Sequence, residues 1–255
     1  MRAINLKTEH MINPLGIDVR EPYLTWNCLD GKRQSAYEIQ ILENDNVVCN
    51  SGKIICDEMY HVYTGGIKSR QRYTWKLRLW DELNQVGEWS KEAFFETGIL
   101  EKNEWKAKWI NPELTCDSEV HKPASYLRTS FHLEKSVFEK AKAHNSGRLY
   151  ITAHGLYEAW INGKRVGDFV LAPGSYNYDK RLGYQTYDVY LVWMETEISM
   201  GQISHYFSRW KWMERLYVIL MKNGKLHRMD QSEKMICNKE KWLTEEFKIS
   251  KLIMK

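Results

Sequence analysis

Aromatic, amide and carboxylate side chains are concentrated in one stretch of the chain, between residues 160 and 179. An aromatic ring can stack on the C–H face of a pyranose, and planar amide or carboxylate groups can form hydrogen bonds with sugar hydroxyls. The stretch therefore predicts a carbohydrate-binding site formed by six residues: Trp160, Asn162, Tyr176, Asn177, Tyr178 and Asp179. A purely structural alternative stays open, in which Trp160 packs in the core, Asn162 forms a turn and the tyrosines pack loops.

The same region contains four carboxylates that could take part in acid–base chemistry: Glu158, Asp168, Asp179 and Asp188. Inverting hydrolysis of a glycosidic bond needs two carboxyl groups about 6.5–9.5 Å apart, one of them with a raised pKa. Glu158 falls within a predicted strand, and the aspartates fall at turns or strand ends, where Asp commonly bonds to the local backbone. We therefore expect no catalytic residue in this chain.

A predicted β-hairpin positions part of this set. The runs RLYITAHG (148–155) and LYEAWING (156–163) have the composition of strands, and the second ends in Asn162-Gly163. Both residues tolerate the positive φ that a type I′ turn requires, so the dipeptide predicts a two-residue hairpin. Further bends are predicted at Gly167 and at Pro173-Gly174.

The first hundred residues predict a separate antiparallel β-sandwich. SAYEIQIL (35–42) and RYTWKLRLWD (72–81) alternate apolar and polar residues, as half-buried strands do. Several strands at this spacing, with no helical period, favour a sandwich of the immunoglobulin or fibronectin type III kind. A connector (101–125) follows, in which Trp105 and Trp109 are expected to anchor the chain to one of the sandwiches.

The composition of the chain changes after Val189. The last 66 residues hold 7 of the 10 methionines, none of the 5 prolines and only 2 of the 15 glycines. The sequence therefore predicts three segments: a sandwich at 1–100, a second, jelly-roll-like sandwich at 101–189, and a diverged or out-of-frame tail at 190–255. The expected fold class is all-β, with two consecutive β-sandwiches and a helical or disordered tail.

Charge and composition exclude several classes of function. The net charge of +4 arises entirely after Val189, and no basic stripe is interleaved with aromatics, so nucleic-acid binding is not expected. The N-terminus lacks the apolar core of a secretory signal, and no run approaches the roughly 18 apolar residues of a membrane span. The five scattered cysteines have no zinc-ligand spacing. These features predict a cytoplasmic protein without a membrane partner or a metal, and they leave the oligomeric state open.

Two successive regions resemble the N-terminal part of bacterial α-L-rhamnosidases of glycoside hydrolase family 78. NPLGID (13–18), YTGGIKSRQRYTWKLRLWD (63–81) and WSKEAFFETGIL (89–100) are similar to the leading immunoglobulin- or fibronectin-III-like domain of the family. RLYITAHGLYEAWINGKRVGDFVLAPGS (148–175) and NYDKRLGYQTYDV (177–189) are similar to the β-sandwich that follows it. Ser175 stands where the family usually has tryptophan, and the resemblance is not visible after Val189.

The resemblance implies what the two regions do and what they lack. Family members carry several hundred further residues, including an (α/α)6 barrel that holds their two catalytic carboxylates, so the resemblance assigns no catalytic residue here. It implies an L-rhamnose-containing glycoside as the ligand class. It implies no cofactor beyond a calcium ion that some associated sandwiches use to hold rhamnose, for which Asp168 or Asp179 could serve.

The expected function is therefore that of a truncated and inactive α-L-rhamnosidase fragment, with residues after about Tyr190 read out of frame. An alternative is a stand-alone rhamnose-binding module, and another is a structural interaction domain that binds no sugar. In the truncated form the second sandwich would lack its later strands and expose open sheet edges.

Overall fold

A computed structural model describes residues 1–105, 107, 109, 126–132, 147–178, 180–190, 200–206, 216–222 and 225–227. Almost every described element is a β-strand, which confirms the predicted all-β fold class. The chain divides into two compact units, Met1–Glu104 and Trp105–Lys255. In the described part of the chain, no helix is long and apolar enough to cross a membrane.

The first unit contains two antiparallel sheets. The smaller has the order β1-β2-β6, with strands β1 (Arg2–Thr8), β2 (Tyr23–Leu29) and β6 (Tyr60–Val62). The larger has the order β4-β3-β7-β8, and a short strand pairs with β3 outside that order. Its strands are β3 (Ala36–Glu43), β4 (Asn46–Asn50), β5 (Ile54–Ile55), β7 (Arg72–Trp80) and β8 (Ala93–Glu96).

Strand β7 shows why this sequence forms a sandwich. Its apolar positions are buried in a core to which both sheets contribute, as the alternating pattern predicts: Tyr73, Trp75, Leu77 and Leu79. The intervening residues form the opposite face, where the Arg78 guanidinium lies 4.9 Å from the centre of the Trp89 ring and 2.7 Å from Glu38 Oε2. The positive charge of Arg78 is thus balanced by the Glu38 carboxylate on the outer face of β7.

The second unit also contains two antiparallel sheets, with the orders β13-β10-β15-β16 and β12-β11-β14-β9. Strands β10 and β11, although consecutive in sequence, belong to different sheets. All six residues of β10 are buried. The strands are β9 (Tyr126–His132), β10 (Arg148–Ala153), β11 (Glu158–Ile161), β12 (Lys164–Arg165), β13 (Gln185–Asp188), β14 (Met200–Tyr206), β15 (Leu216–Lys222) and β16 (Lys225–His227).

Three strands of the second unit come from the segment after Val189, which differs from the expected helical or disordered tail. Strand β14 pairs with β11 and β9, and β15 pairs with β10 and β16. The sandwich expected to end at Val189 thus receives further strands. The run LYVILMK of β15 is apolar up to its final lysine and includes β-branched Val218 and Ile219, as is typical of an interior strand. The stretch at 242–255, considered as a terminal helix, lies outside the described residues.

Candidate functional site

The predicted Asn-Gly turn joins β11 to β12. Asn162 and Gly163 have φ values of 50° and 76°, both in the left-handed region that the turn requires. Trp160 pairs with Arg165 and Ile161 with Lys164 across the hairpin. The chain then bends at Gly167, whose φ of 68° also favours glycine.

The hairpin contributes two of the six predicted sugar-binding residues. Trp160 lies on β11, where its side chain is half-buried, and it pairs in register with Ser204 of β14. Its indole Nε1 is buried and meets no hydrogen-bond acceptor among the residues that the structure describes. Asn162 occupies the turn itself and is also half-buried. Both placements are closer to the structural alternative, in which Trp160 packs in the core and Asn162 forms a turn, than to an exposed aromatic surface on which a sugar could stack.

The loop before β13 contributes the other predicted residues. Tyr176 is exposed, and its hydroxyl end lies beside Gly183, where an added Cβ would come within 2.5 Å of it. Glycine at 183 therefore makes room for the ring of Tyr176. Asn177 is exposed, and its backbone carbonyl accepts hydrogen bonds of 2.9 Å from the N–H groups of Lys180 and Arg181. Asp179 lies outside the described residues.

Tyr178 belongs to an aromatic stack that sequence reasoning missed. Its ring stacks on His154 with 5.2 Å between the centroids and 14° between the planes, so one face of Tyr178 is covered. His154, just after β10, also meets Trp109 edge-on at 4.5 Å. Trp105 meets Tyr184 edge-on at 5.0 Å. Both tryptophans of the connector thus pack within the second unit. The only signal in the sequence was their aromatic character, because their partners are tens of residues away.

A buried polar network lies beneath these surface residues. The Tyr157 hydroxyl donates a 2.8 Å hydrogen bond to Gln185 Oε1, and it lies 3.5 Å from the Tyr187 hydroxyl. Burial raises the pKa of Tyr157 far above its ordinary value, and the neighbouring Tyr187 raises it further. Burial also raises the pKa of Tyr187, although its contacts with Tyr157 and Arg165 oppose the rise. Both phenols therefore stay protonated and serve as hydrogen-bonding groups.

Two of the four candidate carboxylates form ion pairs. Glu158 lies 3.4 Å from Arg165 Nη2, and Asp188 lies 2.9 Å from Arg148 Nη1 across the β10–β13 ladder. Asp168 is exposed on the bend after the hairpin. Within the described ranges, no group of three or more His, Cys, Asp or Glu side chains could hold a metal ion. Glu158 and Asp188 are thus placed as partners of arginine, which differs from the environment of a proton donor.

Two family models match the chain in succession. The Rha78A-like N-terminal immunoglobulin domain matches residues 3–101, and the α-L-rhamnosidase N-terminal domain matches residues 142–251. The second match continues past Val189, where the resemblance in the sequence was no longer visible. Because a shifted reading frame would not preserve a family pattern, this continuation favours a diverged segment over an out-of-frame one.

Proteins related to this chain are named α-L-rhamnosidases. One from Alteromonas sp. is 34% identical over 213 residues, which covers 76% of this chain and 22% of that protein. One from Formosa agariphila is 32% identical over 210 residues, covering 69% of this chain and 21% of that protein. The chain thus spans about a fifth of the length of these relatives.

Solved structures show the same fold. The α-L-rhamnosidase of Dictyoglomus thermophilum superposes with a TM-score of 0.72 at 27% identity, over 93% of this chain and 28% of that one. The Aspergillus terreus enzyme superposes with a TM-score of 0.70 at 22% identity, over 94% of this chain and 28% of that one, and this likeness concerns the fold alone.

Proposed function

We propose that this chain supplies accessory, substrate-recognition domains of a rhamnoside hydrolase, because it matches the N-terminal immunoglobulin and N-terminal domain models of α-L-rhamnosidases in succession. We propose further that these domains do not hydrolyse a glycoside by themselves. The succession of the two family matches carries the proposal, because two different N-terminal domains of one enzyme family follow each other along this chain.

The environment of the carboxylates supports the second part of the proposal. A general acid for glycoside hydrolysis has to hold a proton at the working pH. Glu158 and Asp188 instead have guanidinium partners, and the neighbouring phenols of Tyr157 and Tyr187 are held as neutral hydrogen-bonding groups. Glu158 and Asp188 are therefore not placed as general acids.

An L-rhamnose-containing glycoside is the proposed ligand class, since the relatives of this chain are named α-L-rhamnosidases. Among the five sequence-predicted residues that the structure describes, Tyr176 and Asn177 are the best placed to contact a sugar. Both are exposed and adjacent in one loop, whereas Trp160 is half-buried and one face of Tyr178 is covered by His154. A calcium ion is not required by this proposal.

Hydrolysis of an aryl α-L-rhamnoside tests the accessory role. The purified chain is expected to release no aryl alcohol above the rate of buffer alone. Release that scales with protein concentration and disappears in Glu158→Gln or Asp168→Asn would contradict the proposal, because it would place a catalytic carboxylate in these domains.

Titration with L-rhamnose, followed by protein NMR, tests the ligand class separately. Tyr176→Ala is expected to abolish the chemical-shift changes that rhamnose causes in the wild-type chain. Tyr60→Ala is the matched control, because Tyr60 lies in the first unit and is 37% exposed, against 38% for Tyr176. Equal rhamnose-induced chemical-shift changes in the two variants would show that Tyr176 does not contribute to the binding site.

A further inference from the structure

The ring of Tyr176 closes a surface loop of the second unit. A Cβ added at Gly174 would lie 3.2 Å from this ring, and a Cβ added at Gly183 would lie 2.5 Å from its hydroxyl oxygen. One aromatic ring thus lies against both ends of the segment 174–183. Because glycine has no side chain, the backbone at both ends can approach the ring closely. We call residues 174–183 the Tyr176 loop.

Hydrogen bonds hold the same two ends of the Tyr176 loop. Thr152 Oγ1, on β10, donates to the Gly183 carbonyl at 2.6 Å. The Tyr178 hydroxyl donates to the Gly174 carbonyl at 3.4 Å. The side chains that the loop exposes are therefore carried on a backbone that is ordered before a ligand arrives, which lowers the entropic cost of binding.

Arg181, in this loop, differs from the other arginines of the chain. Its side chain is exposed, and none of the carboxylates that the structure describes forms an ion pair with it. Every other arginine side chain in the described residues has a carboxylate partner, from Arg2 with Asp30 to Arg165 with Glu158. A guanidinium presents a planar fork of donors that matches a carboxylate in a bidentate arrangement. The fork of Arg181 is thus available for a carboxylate supplied by a ligand.

A tight turn places Arg181 beside the residues proposed to contact a sugar. The backbone N–H groups of Lys180 and Arg181 both donate to the Asn177 carbonyl at 2.9 Å. The side chains of Lys180 and Arg181 are exposed, as are those of Tyr176 and Asn177. One short segment therefore presents an aromatic ring, an amide and two cations to solvent.

We propose that the Tyr176 loop binds an acidic rhamnoside, in which L-rhamnose is linked to a uronic acid. This inference rests on the proposed function, because it extends the assignment of Tyr176 and Asn177 to rhamnose. The rhamnose ring stacks on Tyr176 and forms hydrogen bonds with the Asn177 amide. The uronate carboxylate binds the Arg181 guanidinium, and Lys180 adds a second positive charge. A neutral glycoside would leave the guanidinium in water, so Arg181 selects for the acidic ligand.

An NMR titration with two matched ligands tests the proposal. One ligand is a rhamnosyl glucuronic acid disaccharide, and the other is its methyl ester, which has the same sugars without the negative charge. Arg181→Gln removes the guanidinium, and Arg181→Lys keeps a positive charge without the planar fork. Arg33→Gln is the matched control, because Arg33 is an exposed arginine of the first unit. Circular dichroism verifies that each variant is folded.

The wild-type chain and Arg33→Gln are expected to bind the acid about three- to tenfold more tightly than the ester at low salt. Arg181→Gln is expected to bind the two ligands equally, and Arg181→Lys is expected to keep part of the preference. Sodium chloride at about 0.5 M should reduce the preference of the wild-type chain, because salt screens exposed charges.

Equal binding of the acid and the ester by the wild-type chain would overturn this proposal and leave the rhamnoside ligand class in place. A preference for the acid that Arg181→Gln retains would also overturn it, as would tighter binding of a sulfated rhamnoside than of the acid. Binding of neither disaccharide up to roughly 10 mM would overturn both this proposal and the proposed ligand class. Hydrolysis of an aryl rhamnoside by the chain would contradict the accessory role alone.

Discussion

Tyr157 and Gln185 form the central contact of the second unit. The phenol of Tyr157 donates a 2.8 Å hydrogen bond to the Gln185 side-chain oxygen, and the Gln185 amide donates to the Pro173 carbonyl. One buried phenol is thereby connected, through Gln185, to the backbone at Pro173.

Tyr157→Phe is expected to destabilise the second unit. The substitution leaves Gln185 Oε1 without its donor, and loss of one partner of a buried hydrogen bond costs about 1–3 kcal/mol in the free energy of unfolding. Urea denaturation followed by circular dichroism measures the loss. Tyr60→Phe, at an exposed site in the first unit, serves as the control. Equal unfolding midpoints for the two variants would contradict the role given to Tyr157.

Alkaline pH is expected to destabilise the second unit through the same tyrosines. The pKa values of Tyr157 and Tyr187 are raised in the folded state above the ordinary value of 10.0. Above pH 10 the unfolded chain therefore loses these protons while the folded chain keeps them, so stability present below pH 10 is lost as the pH rises. Thermal melts between pH 9 and 11 should show this loss, and Tyr157→Phe should reduce it. A loss of the same size in the variant would assign the effect to other groups.

Acid pH is expected to destabilise the first unit through His61. Burial lowers the pKa of His61 below its ordinary value of 6.5, and its Nδ1 lies 3.2 Å from the Tyr37 hydroxyl. Below pH 6.5 the unfolded chain binds a proton that the folded chain resists, so stability present above pH 6.5 falls as the pH is lowered. Melting temperatures at pH 7.5 and 5.5 measure the fall. His61→Gln should reduce it and His10→Gln should not.

Gly167→Ala is expected to destabilise the second unit more than Gly163→Ala. Both glycines have a positive φ, so an added Cβ strains the backbone at either position by roughly 1–2 kcal/mol. At Gly163 nothing lies near the new atom, whereas at Gly167 it would collide with the ring of Tyr187. The difference between the two unfolding free energies isolates the steric contact. Indistinguishable values would show that the Tyr187 ring moves aside freely.

Deletion of residues 190–255 is expected to abolish cooperative unfolding of the second unit and to leave the transition of the first unit in place. The deletion removes β15, which pairs with β10 over six residue pairs, and β14, which pairs with β11. Three strands, β9, β10 and β11, would be left with open edges, which promotes aggregation. Differential scanning calorimetry with light scattering measures both effects. An unchanged second transition would support an independent tail.

Local patterns in the sequence were sufficient for several features of the fold. Alternation in residues 72–81 predicted a strand with Trp75 and Leu77 inside, and Asn162-Gly163 predicted the hairpin turn. These features depend on neighbours two to four residues apart, where strand geometry and the allowed values of φ leave few options. The similarity to α-L-rhamnosidase N-terminal domains was also visible up to Val189.

Tertiary structure decided the rest. Alternation specifies which face of a strand is buried but does not specify its partner strand, so nothing local indicated that β10 and β11 join different sheets or that Ile151 pairs with Val218. The same holds for the carboxylates and the aromatics, because Asp188 meets Arg148 and Tyr178 covers His154 only once distant segments come together. The sequence by itself thus determined several strands before Val189, the Asn-Gly turn and the family resemblance, since these follow from short-range geometry and residue identity. The partners of the strands, and the exposure of Tyr176 and of residues 169–171, were decided by long-range packing, which depends on contacts that no single segment contains.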